Sequence, residues 1–234
     1  MNVVVGRREF LGSAAIVGVG SMTAGPLLVE GAGKHSHHTG GHIEQELVDQ
    51  LRTSLRGMQG ARPAEGARQL ASTLRLAAAH FKEKEIDADL KAFLHSTIRN
   101  EGRESLLRRQ IDKRMLAAEM QKLGVTAPLD LGPVDHAMRE KALDMLLTTG
   151  LTPLMTRVAD TLDRRSETLD RRETIRLSSA QEPEQPACPD LSSLLSIMDM
   201  TLLVACLFMQ LACVVVSAMW FGLNLSLLIA CWGG

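Results

Sequence analysis

Four histidines lie close together near the N-terminal end of the chain, and their side chains are the clearest candidates for metal chemistry. Residues 34–42 contain His35, His37, His38 and His42 among glycines, a lysine, a serine and a threonine. Neutral imidazole nitrogens bind Zn²⁺, Cu²⁺ and Ni²⁺. The spacing matches no structural zinc pattern, so two hypotheses stand: a metal-handling tract, or a flexible polar linker before the first domain.

The remaining residue types give no support for catalysis. His80, His95 and His136 fall on predicted helices, but the sequence has no Glu-x-x-His pair of the kind that helical bundles use for metal centres. Asp135 directly precedes His136, and adjacent side chains on a helix point in different directions. Gly-x-Ser-x-Gly, P-loop, dinucleotide-binding and His-Glu-x-x-His motifs are also absent from the sequence. We therefore expect a non-enzymatic protein.

Composition narrows the class of protein further. The 234 residues carry a formal net charge of −1, which gives no electrostatic reason to expect nucleic-acid binding. Aromatic residues make up 3% of the chain and tyrosine is absent, so the core must be built from aliphatic residues. No disulfide or zinc site holds the middle of the chain together, because the four cysteines all lie near the C-terminal end: Cys188, Cys206, Cys213 and Cys231.

The elements that must position these groups are helices. Apolar residues recur every three or four positions between residues 43 and 177, which predicts an all-α bundle of five to six helices. Thr152 and Pro153 form an N-cap followed by proline at the first helical position, which predicts the start of the last helix. The first helix starts near Ile43, and the predicted helices after it cover residues 64–84, 87–100, 103–123, 133–148 and 152–177.

The last of these helices carries a tandem heptad, TLDRRSE at 161–167 and TLDRRET at 168–174, in which arginines replace apolar residues. Such a segment suits either a solvated helix end or a short stalk between the domain and a membrane. The proline-rich residues 178–199 that follow it predict an extended linker.

Residues 200–234 contain no acidic residue, no basic residue and no histidine. A transmembrane helix needs roughly 20 mostly apolar residues, so this segment predicts a C-terminal membrane helix. The segment is longer than one span requires. We expect either a helix over about 200–221, with Trp220 at the membrane interface and a turn near Gly222 and Asn224, or a helix that starts among the lipid headgroups.

Within this segment the polar side chains other than Thr201 and Ser226 fall on one heptad stripe, here called the polar seam. Polar and small side chains mediate helix contacts in lipid, so the seam predicts an interface for a homo-oligomer or a membrane-protein partner. The alternative is a plain anchor that tolerates these residues. The predicted interface residues are Cys206, Gln210, Cys213, Ser217 and Asn224, and the same stripe also includes Trp220 and Cys231 and extends backward to Asp199 and Ser196.

Paired arginines precede an apolar segment at the other end of the chain. Arg7 and Arg8 are followed by Phe10 and Leu11 and then by a Gly- and Ala-rich apolar stretch. Residues 1–33 thereby resemble a twin-arginine (Tat) export signal. The resemblance implies passage through the Tat translocase as a folded domain, and a position for most of the chain on the periplasmic or extracytoplasmic side of the cytoplasmic membrane. An uncleaved signal would be a second, N-terminal anchor.

Together these features predict an exported, C-terminally anchored helical protein with an interaction or scaffold role. One alternative is a periplasmic metal-handling protein that uses the histidine tract. Another is a precursor whose apolar C-terminal piece is released at the proline-rich linker as a secreted, membrane-active peptide. The corresponding boundaries are 1–33 for the signal, 34–42 for the histidine linker, 43–177 for the helical domain, 178–199 for the proline-rich linker and 200–234 for the transmembrane segment.

Overall fold

The structure is a computed structural model that describes residues 40–60, 62–125, 135–178 and 189–231. Every secondary-structure element in these ranges is an α-helix, and none of the residues described forms a strand. The all-α prediction is therefore confirmed. In chain order the helices are α1 (Gly40–Gln59), α2 (Pro63–Glu83), α3 (Ile86–Glu101), α4 (Arg103–Arg108), α5 (Lys113–Lys122), α6 (His136–Thr148), α7 (Thr152–Ser178), α8 (Pro189–Phe208) and α9 (Gln210–Cys231).

The first two helices form a pair whose backbones approach closely at two glycines. A Cβ atom on Gly66 would lie 2.2 Å from the backbone nitrogen of Met58, and one on Gly57 would lie 3.2 Å from Gly66 Cα. Only glycine permits so close an approach, because it has no Cβ. Pro63 begins α2 at a position where its missing N–H removes no helical hydrogen bond. From there α2 packs chiefly along α1 and α7.

The prediction of one helix over 103–123 is wrong, because the structure has two helices there, α4 and α5. Arg109 adopts an extended conformation after α4. Asp112 then starts α5, since its carboxylate accepts a hydrogen bond from the Arg114 N–H at 2.9 Å. The apolar pattern did not reveal the interruption because buried leucines lie on both sides of it, at Leu106, Leu107 and Leu116.

Helix α7 begins at Thr152 as predicted, but the predicted cap is not the one that forms. Among the residues described, the Thr152 hydroxyl has no hydrogen-bond partner. The Asp87 carboxylate of α3 instead accepts hydrogen bonds from the Leu151 N–H at 2.6 Å and the Thr152 N–H at 3.1 Å. Gly150, with φ of +91°, allows this approach, because a Cβ there would lie 2.4 Å from Asp87 Cγ. A contact between distant residues therefore fixes the start of α7.

The apolar C-terminal segment is two helices, α8 and α9, here called the apolar hairpin. The chain reverses at Met209, whose N–H donates the last backbone bond of α8 at 3.0 Å and whose carbonyl accepts the first bond of α9 at 2.9 Å. The predicted span over 200–221 with a turn near Gly222 is therefore wrong, since α9 continues through Gly222. Helix α8 also begins within the predicted linker at 178–199.

Helix α9 occupies the core of the bundle. It packs against α1, α2, α5 and α7 as well as against α8, while α8 also packs against α6. Gly222 lies tightly against the Leu70 side chain of α2, because a Cβ there would lie 2.3 Å from Leu70 Cδ2, and Met58 of α1 lies beside it, with Sδ 3.8 Å from that Cβ position. We call α1–α7 the shell helices, since they lie around the apolar hairpin and carry the charged outer surface.

Candidate functional site

Helix α9 is long and apolar enough to cross a membrane. Its apolar window Gln210–Leu227 has 18 residues and contains no acidic or basic side chain. At 1.5 Å per residue the window extends about 27 Å, close to the roughly 30 Å hydrocarbon core of a bilayer. Helix α8 contains a shorter apolar stretch, Ser193–Phe208. Within the part of the chain that the structure describes, no helix besides α9 is both long enough and apolar enough to span a bilayer. Yet 78% of the α9 window is buried inside the bundle, so one segment suits both a membrane span and a protein core.

The shell helices turn charged faces outward. Arg75 on α2 pairs with Asp160 and Asp163 on α7, at 2.8 and 2.5 Å, and Arg103 pairs with Asp144 at 2.7 Å. These partly exposed ion pairs are solvated by water, and charged groups are strongly disfavoured in hydrocarbon. Helix α9 therefore cannot face lipid while α1, α2 and α7 remain packed on it. The packed and the membrane-spanning arrangements of α9 exclude each other.

The reversal at Met209 folds the polar seam back on itself. A disulfide joins Cys206 near the end of α8 to Cys213 in the first turn of α9, and their Cα atoms are 4.2 Å apart. In one continuous helix, residues with this sequence separation of 7 would lie about 10 Å apart along the axis. Two cysteines that were predicted to face a partner helix thus bond to each other.

A second pair on the seam joins the middle of α8 to the middle of α9. The Trp220 indole Nε1–H donates to Asp199 Oδ1 at 3.2 Å. Both side chains are buried, with exposed fractions of 4% for Trp220 and 8% for Asp199. Asp199 is the only charged residue between Leu191 and Gly234. In this structure Trp220 therefore lies inside the bundle rather than at a membrane interface.

The surroundings of Asp199 determine its ionisation. Burial raises the pKa of the Asp199 carboxyl from 3.8 to about 6, while the Trp220 hydrogen bond and the positive charge of Arg139 act in the opposite direction. Arg139 on α6 is held in place by its guanidinium, which donates to the backbone carbonyls of Leu107 and Arg109 at 2.5 and 2.6 Å. Burial lowers the pKa of Arg139, and the Asp199 charge raises it. The net effect is that the pKa of this buried carboxyl lies above its ordinary value.

The other predicted interface residues have different surroundings. Gln210, the first residue of α9, is exposed, and Cys206 is half-buried. Ser217 is fully buried, and its hydroxyl has no hydrogen-bond partner among the residues described. The Asn224 side chain donates to the Trp220 carbonyl in its own helix at 2.9 Å. An interface with a second molecule stays a prediction for these residues.

Most of the predicted metal tract and all of the predicted export signal lie outside the described residues. This applies to His35, His37 and His38, and to Arg7, Arg8, Phe10 and Leu11. His42 is exposed on α1, beside an open polar groove that Gln45, Asp49 and Gln69 also line. Within the ranges that the structure covers, no group of three or more His, Cys, Asp or Glu residues is placed to hold a metal ion. Binding of Zn, Cu or Ni by the whole tract stays a prediction.

Sequence reasoning placed Asp199 and Trp220 on one stripe but missed that they contact each other. It also missed Arg139, which no spacing pattern connects to α8. One signal for the contact was present in the sequence: the pair Cys206–Cys213 and the pair Asp199–Trp220 are both centred on the peptide between Met209 and Gln210. A reversal at that peptide brings both pairs together at once.

No known protein family, curated protein or solved structure matches this chain.

Proposed function

We propose that this chain is an exported helical protein with a non-enzymatic role, and that it associates with a membrane through the apolar hairpin. In the packed arrangement the hairpin is the core of the bundle. In the membrane-bound arrangement it separates from the shell helices and lies against lipid. The observation that carries the proposal is that α9 is long and apolar enough for a span while 78% of its window is buried by protein.

Moving α9 from the protein core into lipid costs less free energy than moving it from the core into water. A buried leucine or valine side chain is destabilised by roughly 1.5–3 kcal/mol when it is moved into water. Lipid tails are about as apolar as leucine, so this term nearly cancels when lipid replaces the shell helices. The balance then depends on the apolar faces of the shell helices, which lose their cover when the hairpin leaves, and on specific contacts such as the packing around Gly222 and the Asp199–Trp220 hydrogen bond.

Two features support a location outside the cytoplasm. Residues 1–33 resemble a Tat signal, and disulfides such as Cys206–Cys213 form and persist in oxidising compartments. The resemblance implies transport of a folded domain, and in the packed arrangement the hairpin is covered during that transport. The partners we propose are therefore the Tat translocase during export and a bilayer afterwards.

A packing variant at Gly222 tests membrane association. Gly222→Leu adds a side chain where even a Cβ would lie 2.3 Å from Leu70, and it also makes α9 more apolar and more helical. We expect the full-length variant to float with phosphatidylcholine vesicles about tenfold more than the wild type at pH 7.5. The matched control is Gln210→Leu, which adds the same side chain at the exposed first residue of α9.

The two variants separate two explanations of binding. Flotation of Gly222→Leu well above Gln210→Leu supports release of the hairpin from the shell helices. Equal flotation of both means that added apolarity alone is responsible, which contradicts the exchange between two arrangements. No flotation of either variant at any pH between 5.0 and 7.5 refutes membrane association through the hairpin.

Fractionation with protease protection on the tagged full chain tests the location. We expect wild-type protein to be accessible from the extracytoplasmic side, with Cys206 and Cys213 oxidised. Replacing Arg7 and Arg8 by lysine is expected to keep the protein in the cytoplasm with both thiols reduced. The control replaces the arginine pair at 164–165 by lysine, outside the signal, and is expected to behave as wild type. Unchanged location of the first variant would contradict twin-arginine export.

A further inference from the structure

We propose that Asp199 is a pH-sensitive switch, which keeps the apolar hairpin in the bundle when it is ionised and releases the hairpin to a lipid bilayer when it is protonated. This rests on the proposed function and adds the signal that selects between the two arrangements. The geometry behind it is specific: Asp199 is buried, it is the only charged residue of the hairpin after Asp190, and it bonds across the hairpin to Trp220.

Helices α9, α6 and α3 pack on α8; the polar and charged groups that act on Asp199 come from α9 and α6, while α3 contributes the Phe93 ring against Phe208. Helix α9 contributes the Trp220 indole N–H at 3.2 Å and carries no acidic residue, basic residue or histidine. Helix α6 contributes the positive charge of Arg139, whose guanidinium is fixed on the carbonyls of Leu107 and Arg109. Both contributions stabilise the ionised carboxylate.

Relative to insertion in a bilayer, the ionised form of Asp199 favours the packed arrangement. A bilayer offers neither the indole donor nor the arginine, and an ionised carboxylate in hydrocarbon is strongly disfavoured. The reversal at Met209 and the Cys206–Cys213 disulfide join α8 tightly to α9. The spanning candidate Gln210–Leu227 therefore cannot reach a membrane without bringing α8 with it, and the charge on α8 opposes that movement.

Protonation of Asp199 removes the charge that opposes movement of the hairpin into a membrane. Residues 191–231 then carry no charge, and the attraction between Asp199 and Arg139 disappears. Because burial raises the pKa of Asp199 to about 6 in the bundle, the change falls between neutral pH and pH 5. The raised pKa also means that the folded chain binds this proton more tightly than the unfolded chain, so acid stabilises the bundle against unfolding through this group. Release to lipid is therefore distinct from acid unfolding.

Vesicle flotation of the full chain between pH 7.5 and pH 5.0 tests the switch. Uncharged phosphatidylcholine vesicles are used, so that headgroup charge does not contribute. We expect wild-type protein to bind about tenfold more at pH 5.0 than at pH 7.5, with a midpoint near 6. Asp199→Asn is neutral at every pH, and we expect it to bind at pH 7.5 as wild type does at pH 5.0. Glu167→Gln removes an exposed carboxylate from α7 and is expected to keep the wild-type profile.

Circular dichroism reports whether Asp199→Asn folds. A second variant, Trp220→Phe, keeps the test valid if it does not. Trp220→Phe removes the indole donor that lowers the pKa of Asp199, so the midpoint of binding is expected to move to higher pH. Wild-type binding that does not depend on pH, or an unchanged midpoint in Trp220→Phe, overturns the switch and leaves membrane association intact. If Gly222→Leu and Asp199→Asn both fail to bind at any pH, membrane association itself fails.

Discussion

The bundle contains two pairs of consecutive, packed helices, α1–α2 and α8–α9, and different contacts hold each pair together. The α1–α2 pair has one apolar face and closes where Gly57 meets Gly66. The α8–α9 pair is apolar on nearly all sides and closes with the Cys206–Cys213 disulfide. An amphipathic pair is stable only when protein covers its apolar face, whereas an apolar pair is covered equally well by protein or by lipid. The burial of α9 in protein therefore depends on particular contacts.

Two close contacts, one on each helix of the hairpin, join it to the shell helices. Gly222 of α9 lies against Leu70 of α2. Phe208 at the end of α8 lies against Phe93 of α3, with ring centroids 5.5 Å apart and tilted planes. Tilted aromatic pairs contribute roughly 0.5–1.5 kcal/mol beyond the burial of their area. Changes that loosen either helical pair are therefore expected to affect the other.

The largest effect is expected where the backbones of α1 and α2 cross. Gly66→Ala places a Cβ 2.2 Å from the Met58 backbone nitrogen, and this contact is relieved only if the helices separate. We expect the free energy of unfolding, measured by chemical denaturation, to fall by about 3 kcal/mol or more. The matched control is Gly60→Ala, whose new Cβ would have its nearest contact at 3.4 Å. It should change stability by less than about 0.5 kcal/mol. Similar losses of stability in both variants would show that the backbones of α1 and α2 are not tightly packed at Gly66.

A smaller effect is expected at the closure of the hairpin. Replacing Cys206 and Cys213 by serine removes a cross-link over a sequence separation of 7. Loop-closure entropy then predicts a loss of about 2 kcal/mol in stability, measured as a lower Tm by calorimetry. Gln210→Ser, an exposed position in the same turn, serves as the control and should stay within about 0.5 kcal/mol of wild type. An unchanged Tm in the double variant would mean that the reversal at Met209 is stable without the disulfide.

Within the shell helices, the Asp87 cap of α7 provides a contact of intermediate strength. Asp87→Ala removes the acceptor of the Leu151 and Thr152 N–H groups and should lower stability by about 1.5 kcal/mol. Asp89→Ala is the matched control, because Asp89 lies in the same first turn of α3 and is exposed. Denaturant midpoints measured on both variants decide the matter. Equal losses would assign the effect to the N-terminus of α3 rather than to the cap of α7.

The smallest effect is the dependence of stability on pH that Asp199 of the hairpin contributes. The raised pKa of Asp199 makes its contribution favourable at acidic pH, and that contribution is lost as the pH rises through about 6. Relative to Asp199→Asn, wild-type protein is therefore expected to gain about 1 kcal/mol between pH 7 and pH 5. Taking the difference between the two proteins cancels the titration of all other groups. A difference that stays constant with pH would contradict a buried, ionisable Asp199.

The shell helices were largely predictable because each has a polar side that defines its apolar face. Leu47, Leu51 and Leu55 recur every four residues, and the structure buries all three on α1. The interruption between Arg109 and Asp112 was missed, since a local cap restarts the helix without changing the apolar period. The true cap of α7 was also missed, because it comes from another helix.

The apolar hairpin was not predictable in the same way. No glycine or proline stands beside Met209 to mark the reversal, and an uncharged segment has no polar face from which to locate a turn. The polar seam includes both pairs that the structure brings into contact, Asp199–Trp220 and Cys206–Cys213, although it was predicted as one stripe along a continuous helix. The position of the turn determines whether these residues contact a second molecule or each other. The spacing of the polar residues alone does not predict where that turn lies.

The order of the helices along the chain has a consequence for biosynthesis. Helix α9 follows all the shell helices in the sequence, although α1, α2, α5 and α7 pack on it. Domains usually begin to fold from the N-terminal side while the ribosome is still at work. Here the surfaces of α1, α2, α5 and α7 that pack on α9 stay uncovered until α9 has been translated, although α2 can already pack along α1 and α7. A ribosome that stalls before α9 would leave the shell helices complete but without the helix that covers their remaining apolar surface.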